Sequence, residues 1–189
     1  APTVTDPPPA DPEPTPTPSP APAPTPAPPP TTDPALTPVP TLASVGRFTD
    51  RAGDLATGAD LRGLLVRNEG VITIQSTHRN LTRRLGAVVT MYIDTRTSKN
   101  GPEYFVSAGV GPSTGWVVRK VRDWKAVGDP VKCTSTMRAS YATERVTFTV
   151  GRACVGRPGP IRIAALVTDG RLKDWGPSKR AFNTWVARV

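Results

Sequence analysis

The chain has 189 residues and a net charge of +9, with 24 prolines, two cysteines and one histidine. It contains no run of 18 apolar residues and no charged segment followed by a short apolar one. We therefore expect neither a membrane span nor a signal peptide in it. Two cysteines are too few for a cysteine zinc site.

The sequence falls into two parts of opposite charge. Eighteen of the 24 prolines lie in residues 1–40, whereas every lysine and arginine lies at or beyond Arg47. Residues 1–46 carry a charge of −4, and the remainder, with 24 basic and 11 acidic residues, carries +13. Repeats such as PTPTPSPAPAPTPAPPP have few apolar side chains to bury and favour extended polyproline II. We expect a disordered Pro-rich spacer over residues 1–46 and one folded domain over residues 47–189.

The folded part reads as short apolar runs separated by Gly, Pro, Asn and Asp, without a long helical pattern. In RVTFTVGR, for example, valines and a phenylalanine alternate with arginine and threonines, which is typical of a strand with one buried face. The strands predicted in this way cover residues 61–66, 71–76, 87–95, 103–110, 116–121, 145–152 and 160–167. The closing AFNTWVARV, with Phe182 and Trp185, is expected to add a final strand. About eight or nine such strands predict an all-β fold, a jelly-roll-like antiparallel β-sandwich.

Cys133 and Cys154 flank a predicted hairpin. We expect a disulfide between neighbouring strands, with two buried free thiols as the alternative. Disulfides persist in oxidising compartments. Together with the spacer, this pair predicts a secreted protein, associated with the cell envelope.

The stretch FTDRAGDLATGADL, residues 48–61, places Asp50, Asp54 and Asp60 close together in a basic domain. Three carboxylates could supply half of a calcium coordination shell. The stretch lacks the spacing of an EF-hand loop, and Asp and Gly are also common turn residues. Calcium ligands and plain turn residues are therefore the two interpretations.

Several further pieces follow one another in a familiar order: an Asp-x-x-x-Asp start, Tyr92-Ile93-Asp94-Thr95, Gly101-Pro102-Glu103-Tyr104, a Trp124 loop before Cys133, GRACVGRPGPIRI and a closing DWGPSKRAFNTWV. This order resembles a β-sandwich domain of secreted actinobacterial proteins, which is similar to DOMON-like domains and to family 9 carbohydrate-binding modules. The resemblance covers residues 47–189. It implies a jelly-roll-like sandwich with an extracellular binding role, and relatives of this kind include binders of calcium, haem or sugar.

Trp124 and Trp175 each follow a basic residue and an aspartate in a loop-like context. Exposed aromatic rings of this kind can stack on a sugar ring, and the alternative is that they cap the sandwich core. Outward-facing Arg119, Arg145 and Arg162 could form one patch for a polyanion such as an anionic cell-wall polymer. Nucleic acid is disfavoured as a partner because few aromatic residues are interleaved with the basic ones.

The sequence argues against an enzyme, because it has one histidine and no nucleophile or phosphate-loop motif. Only a carboxylate pair, Asp94 and Glu103, would suit a glycoside hydrolase. We therefore predict a noncatalytic extracellular module that binds cell-wall or other anionic carbohydrate. The alternatives are a protein-interaction or structural module of the cell envelope and, less favoured, the hydrolase. The oligomeric state is left open.

Overall fold

The computed structural model describes residues 43–51, 53, 59–112 and 114–189. Residues 1–42 of the predicted spacer therefore lie outside the described residues. The described part contains one short 3₁₀ helix, Arg152–Val155, and eleven strands: β1 Val45–Thr49, β2 Asp60–Asn68, β3 Val71–Arg79, β4 Val88–Asp94, β5 Tyr104–Gly109, β6 Trp116–Arg122, β7 Lys125–Val127, β8 Ser135–Ser140, β9 Arg145–Gly151, β10 Arg162–Asp169 and β11 Leu172–Gly176. No helix among these residues is long and apolar enough to cross a membrane.

The strands form two antiparallel sheets. Sheet A has the order β1-β2-β3-β9-β8, and sheet B has the order β11-β10-β4-β5-β6-β7. The chain builds the β2–β3 hairpin in sheet A, runs through β4 to β7 in sheet B, and returns for the β8–β9 hairpin before it ends with β10 and β11. The predicted all-β antiparallel sandwich is confirmed.

The core lies between the two sheets and is built by alternate residues of each strand. Sheet A contributes side chains such as Ile72, Ile74 and Phe148, and sheet B contributes side chains such as Met91 and Ile163, all with no exposed surface. This alternation is the pattern that identified the seven predicted strands, which correspond to β2, β3, β4, β5, β6, β9 and β10. The strands that sequence patterns did not reveal are short or lack the alternation.

Strand β11 comes close to β2 of the other sheet. A Cβ at Gly176 would lie 2.5 Å from Cδ2 of Leu61 and 3.1 Å from Cε1 of Phe48, so only glycine fits without displacing the core. This close approach fixes the strand that carries Trp175.

Cys133 and Cys154 form the predicted disulfide. The bond joins the residues just before β8 to the 3₁₀ helix after β9, so that it closes the base of the β8–β9 hairpin. A loop with a sequence separation of 21 residues gains about 3 kcal/mol from such a bond in the chain-entropy account.

The C-terminal segment differs from the final strand that its sequence predicts. It forms a single β-bridge between Ile161 and Val186. The backbone of Val186 exchanges two hydrogen bonds with Ile161, and the N–H of Ala187 donates to the carbonyl of Ala43 beside sheet A. Val186 is fully buried. The segment thus closes one side of the sandwich by touching both sheets, without becoming a regular strand of either.

Candidate binding site

The outer face of sheet B carries aromatic and aliphatic side chains where a solvent-facing sheet would carry polar ones. Tyr92 of β4 stands opposite Phe105 of β5, and Leu166 of β10 stands opposite Trp175 of β11. These positions alternate with core residues such as Met91, so they point away from the sandwich interior. This part of sheet B therefore carries apolar groups on both faces.

Five rings on this face pack against one another, and we call them the outer aromatic cluster: Tyr92, Phe105, Trp124, Trp175 and Phe182. The ring of Tyr92 is stacked on Trp175 at a centroid distance of 5.7 Å and meets the edge of Trp124 at 5.0 Å. Trp124 and Trp175 are themselves 5.6 Å apart. The two tryptophans that the sequence selected are thus neighbours, joined by a tyrosine that the sequence did not select.

Tyr92 shows how closely this cluster is packed. Only 9% of its surface is exposed. Burial raises the pKa of its hydroxyl above the ordinary value, and the nearby positive charge of Arg180 opposes that rise. The cluster therefore acts as a second, smaller core on the outside of the sheet.

Trp124 occupies the tight turn between β6 and β7. Asp123 and Trp124 form a two-residue loop in which both have positive φ, 52° and 64°. Such hairpin loops favour Asn-Gly or Asp-Gly, because a bulky residue is strained in the left-handed region. The contacts of the Trp124 ring with Tyr92 and with Phe182, at 5.2 Å, offset this strain. The turn thereby holds the indole in one place.

A groove of 520 Å³ lies beside Trp124, which is one of its lining residues. It lies between the loop that joins β4 to β5 and the β6–β7 hairpin. Four cationic residues also line it: Arg96, Lys99, Lys120 and Arg122. Two carboxylates, Glu103 and Asp123, also line it. The charged residues of the groove therefore carry an excess of positive charge.

The groove cations belong to neither of the ion pairs seen in the described part of the chain. Those pairs join Arg67 with Glu69 and Arg162 with Asp94. The Glu103 carboxylate instead accepts hydrogen bonds from the backbone N–H and the hydroxyl of Thr95, at 2.8 and 3.0 Å. It fixes the base of the β4–β5 loop, and the cations remain available to an anionic ligand.

Arg162 lies on the same outer face but is already occupied. Its Nε and Nη2 donate to Oδ2 of Asp94 at 2.8 and 2.7 Å. Its guanidinium also lies 4.7 Å from the ring centre of Phe182 and 4.6 Å from that of Trp185. Arg162 therefore fastens the C-terminal segment to sheet B, and its charge is balanced by Asp94.

The three predicted arginines do not form one patch. Arg119 of β6 stands opposite Phe105 on the outer face of sheet B. Arg145 of β9 points outward from sheet A, on the opposite side of the sandwich, because its neighbour Val146 is in the core. The basic residues near Trp124 lie in the β4–β5 loop, Arg96 and Lys99, and on β6, Lys120 and Arg122, and the sequence analysis did not select them. Their signal was the density of basic residues in TRTSK and RKVR.

The predicted hydrolase carboxylates lie side by side where two adjacent strands meet their connecting loop, Asp94 at the end of β4 and Glu103 just before β5. The N–H of Glu103 donates to the carbonyl of Ile93, which places Glu103 beside Asp94 at the end of the ladder. Asp94 is fully buried. Its Oδ1 accepts the N–H of Arg96 at 3.1 Å, in addition to the pair with Arg162. Both carboxylates are therefore engaged in holding local structure.

The predicted calcium ligands are placed only in part, because Asp54 lies outside the described residues. Asp60 is fully buried and accepts the N–H of Gly53 at 2.9 Å. Asp50 directly follows β1, and its N–H donates to the carbonyl of Arg62. In the portion of the chain with described coordinates, no group of three or more His, Cys, Asp or Glu side chains is arranged to hold a metal ion.

A buried aspartate that the sequence did not select lies near Asp60. Asp174 of β11 points into the sandwich, is 2% exposed, and accepts the N–H of Leu61 at 2.7 Å. It links the end of sheet B to the start of β2. Its signal in the sequence was its place beside Trp175, since an outward tryptophan requires an inward neighbour on a strand.

A scan of the chain against protein-family models and a search among curated proteins give no match. The resemblance to DOMON-like domains and to family 9 carbohydrate-binding modules therefore stays a prediction.

Proposed function

We propose that the domain is a noncatalytic extracellular module that binds an anionic carbohydrate polymer, such as an acidic cell-wall polysaccharide, in the groove beside Trp124. One observation carries this proposal: Trp124, held by a strained turn, lines the groove together with four cations, none of which forms an ion pair with a described carboxylate. This combination suits a sugar that carries acidic groups.

The two parts of the groove would act on different parts of such a ligand. An aromatic ring presents an apolar face against which the C–H face of a sugar packs. The cations attract carboxylate, sulfate or phosphate groups and speed the encounter with a polyanion. Because the charges are exposed, their contribution is expected to weaken as salt is added.

A role outside the cytoplasm is part of the proposal. The Cys133–Cys154 disulfide supports it, because such bonds persist in oxidising compartments. The absence of a catalytic role is supported by the state of Asp94 and Glu103. Each carboxylate is committed to hydrogen bonds within the domain, whereas a glycoside hydrolase needs one of them as an acid and the other as a base or nucleophile.

The direct test is cosedimentation of the full chain with purified bacterial cell walls, before and after their anionic polymers are extracted. We expect binding that fades with added salt and that is largely lost from the extracted walls. The Trp124→Ala variant should bind about tenfold more weakly, which corresponds to about 1.4 kcal/mol. Circular dichroism would verify that the variant is folded.

Trp116→Ala is the matched control. Trp116 lies at the other end of β6, is 44% exposed, and donates its Nε1–H to Ser135. Its removal should leave wall binding unchanged. Equal binding to intact and extracted walls would contradict an anionic ligand. No binding to either would reject the carbohydrate proposal and favour the alternative, a protein-interaction module of the cell envelope.

A further inference from the structure

We propose that Asn100 is a site of spontaneous chemical modification, at which deamidation adds a negative charge to the groove. Asn100 and Gly101 both line the groove, in the loop between β4 and β5. The chain has four asparagines, and Asn100 is the one that glycine follows. The modification is a property of the loop itself, and only its effect on binding rests on the proposed function.

The loop leaves the reacting groups accessible to each other. Asn100 is exposed. Gly101 has a φ of +112°, a backbone conformation that residues with a side chain rarely adopt. No atom lies within 4 Å of the position that a Cβ would occupy there. Among the described residues, the N–H of Gly101 donates no hydrogen bond. The backbone nitrogen is thus free of the two restraints, a bulky neighbour and a hydrogen bond, that would keep it from the Asn100 side chain.

The reaction needs only water and hydroxide. The Gly101 amide nitrogen loses its proton to hydroxide and attacks Cγ of Asn100. A new C–N bond forms, the bond from Cγ to the side-chain nitrogen breaks, and that nitrogen leaves as ammonia with a proton taken from water, which regenerates the hydroxide. Water then opens the five-membered imide at either carbonyl, which gives aspartate or isoaspartate. The net change is one amide and one water converted to one carboxylic acid and one ammonia, without oxidation or reduction.

The product would change the electrostatics of the groove. Four cations and two carboxylates line it now, and modification adds a third carboxylate beside Lys99. An exposed charge of this kind shifts an interaction by a modest amount. We expect affinity for a polyanion to fall about two- to fivefold. The loop would then act as a slow timer that weakens binding as the protein ages.

The other three asparagines are internal controls. Asn68 is fully buried, and its Nδ2 donates to the carbonyls of Gly159 and Val186. Asn183 accepts the N–H of Ile163 through its Oδ1. Asn80 is exposed but precedes a leucine, which shields the next backbone nitrogen better than glycine does.

The first experiment follows the chemistry without a ligand. The full chain is incubated in mildly alkaline buffer, digested rapidly at acidic pH, and examined by peptide mass spectrometry. We expect the amide-to-acid mass change at Asn100 well before it occurs at Asn68, Asn80 or Asn183. The Asn100→Gln variant should remain unchanged over the same period. Conversion at Asn100 no faster than at Asn80 would overturn the proposal.

The second experiment measures the consequence with the cell walls used above. Asn100→Asp, which reproduces the product charge, should bind about two- to fivefold more weakly than the parent, and Asn100→Gln should bind equally well. Equal binding by Asn100→Asp would overturn the effect on the groove and leave the proposed function standing. If the unmodified chain binds no walls, the proposed function fails, and mass spectrometry still decides the modification.

Discussion

The two outer faces of the sandwich are built on the same alternation and differ in chemistry. Outside sheet A, the central strands β3 and β9 present threonines and other polar residues: Thr73, Gln75, Thr77, Arg145, Thr147 and Thr149. Gln75 donates to Thr147 across the strands at 3.3 Å. Outside sheet B, the central strands present Tyr92, Phe105 and Leu166, and Trp124 and Phe182 pack over them. One face is an ordinary solvated surface, and the other is covered with rings over a large part of its area.

This difference shows that the rings on the outer face of sheet B serve something other than the core between the two sheets. Sheet A is stable with threonines in water, so a sandwich of this size does not need rings on its outer face. The rings of sheet B hold the β6–β7 turn and the C-terminal segment in place, and that turn forms a wall of the basic groove. The outer aromatic cluster thus fixes the position of a turn that lines the candidate site.

The two faces should differ most in the free energy of unfolding that is lost when a side chain of each face is replaced by alanine. Tyr92→Ala removes a ring that contacts three others and is 9% exposed, and we expect it to lower the free energy of unfolding by about 3 kcal/mol. Thr149→Ala on the threonine face should change it by less than about 0.5 kcal/mol. Urea unfolding of both variants measures the difference. Similar losses in the two variants would contradict a second core on sheet B.

A smaller loss of stability is expected when the ion pair of Arg162 and Asp94 in sheet B is broken. Asp94→Asn leaves Arg162 without its counter-charge at a site where the aspartate is fully buried and the arginine side chain is 21% exposed. We expect a loss of about 2 kcal/mol in unfolding free energy, less than for a fully buried pair.

The matched variant is Glu69→Gln, which breaks the surface pair of Arg67 and Glu69, whose side chains are 45% and 49% exposed. It should cost less than about 0.5 kcal/mol. If Asp94→Asn were equally mild, Arg162 would not be the anchor of the C-terminal segment.

The sequence predicts the sheets better than it predicts the site. Strands such as β9 could be found because Val146, Phe148 and Val150 repeat at every second position. Strand β8, STMRAS, was expected only as part of the hairpin between the two cysteines and was given no bounds, because it is an edge strand whose apolar inward positions are Met137 and Ala139. Strand β11 was missed because its inward position holds Asp174, a charged residue where the pattern expects an apolar one.

The site depends on contacts between distant parts of the chain, which no local pattern contains. Trp124 and Trp175 were selected one by one, but only the folding of β4 between their strands brings them to Tyr92. Arg119, Arg145 and Arg162 were selected as outward positions. Alternation gives the face of a strand but does not say which sheet the strand joins, so Arg145 was grouped with residues on the other side of the molecule.

The smallest expected effect is a dependence of stability on pH that arises inside sheet A. His78, the one histidine of the chain, is 2% exposed and faces the sandwich interior. Its Nδ1–H donates to the carbonyl of Ala59 at 3.1 Å, because a carbonyl can only accept. Its Nε2 therefore accepts the hydroxyl of Ser76 at 2.7 Å. Burial lowers the pKa of the imidazole below 6.5, and the bond to Ala59 and the charges of Glu144 and Asp60 oppose this shift only in part.

The sign of the effect follows from the two states of the chain. Above pH 6.5, His78 is neutral whether the chain is folded or unfolded, and it contributes no dependence on pH. Below that value the unfolded chain takes up a proton that the folded chain refuses, so stability falls until the pH passes the lowered pKa. Urea unfolding from about pH 7.5 to about pH 5.5 should show this decline, since most carboxylates stay charged there.

NMR of the single imidazole gives an independent reading, and its titration midpoint in the folded protein should lie below that in urea. A midpoint at or above the unfolded value would contradict the neutral, buried state. His78 lies inside the sandwich and is not among the residues that line the groove, so wall binding by the folded chain should stay constant while its stability falls. A fall in pH would then weaken the interior behind the threonine face while binding at the groove is retained, so that one change of condition separates the two regions.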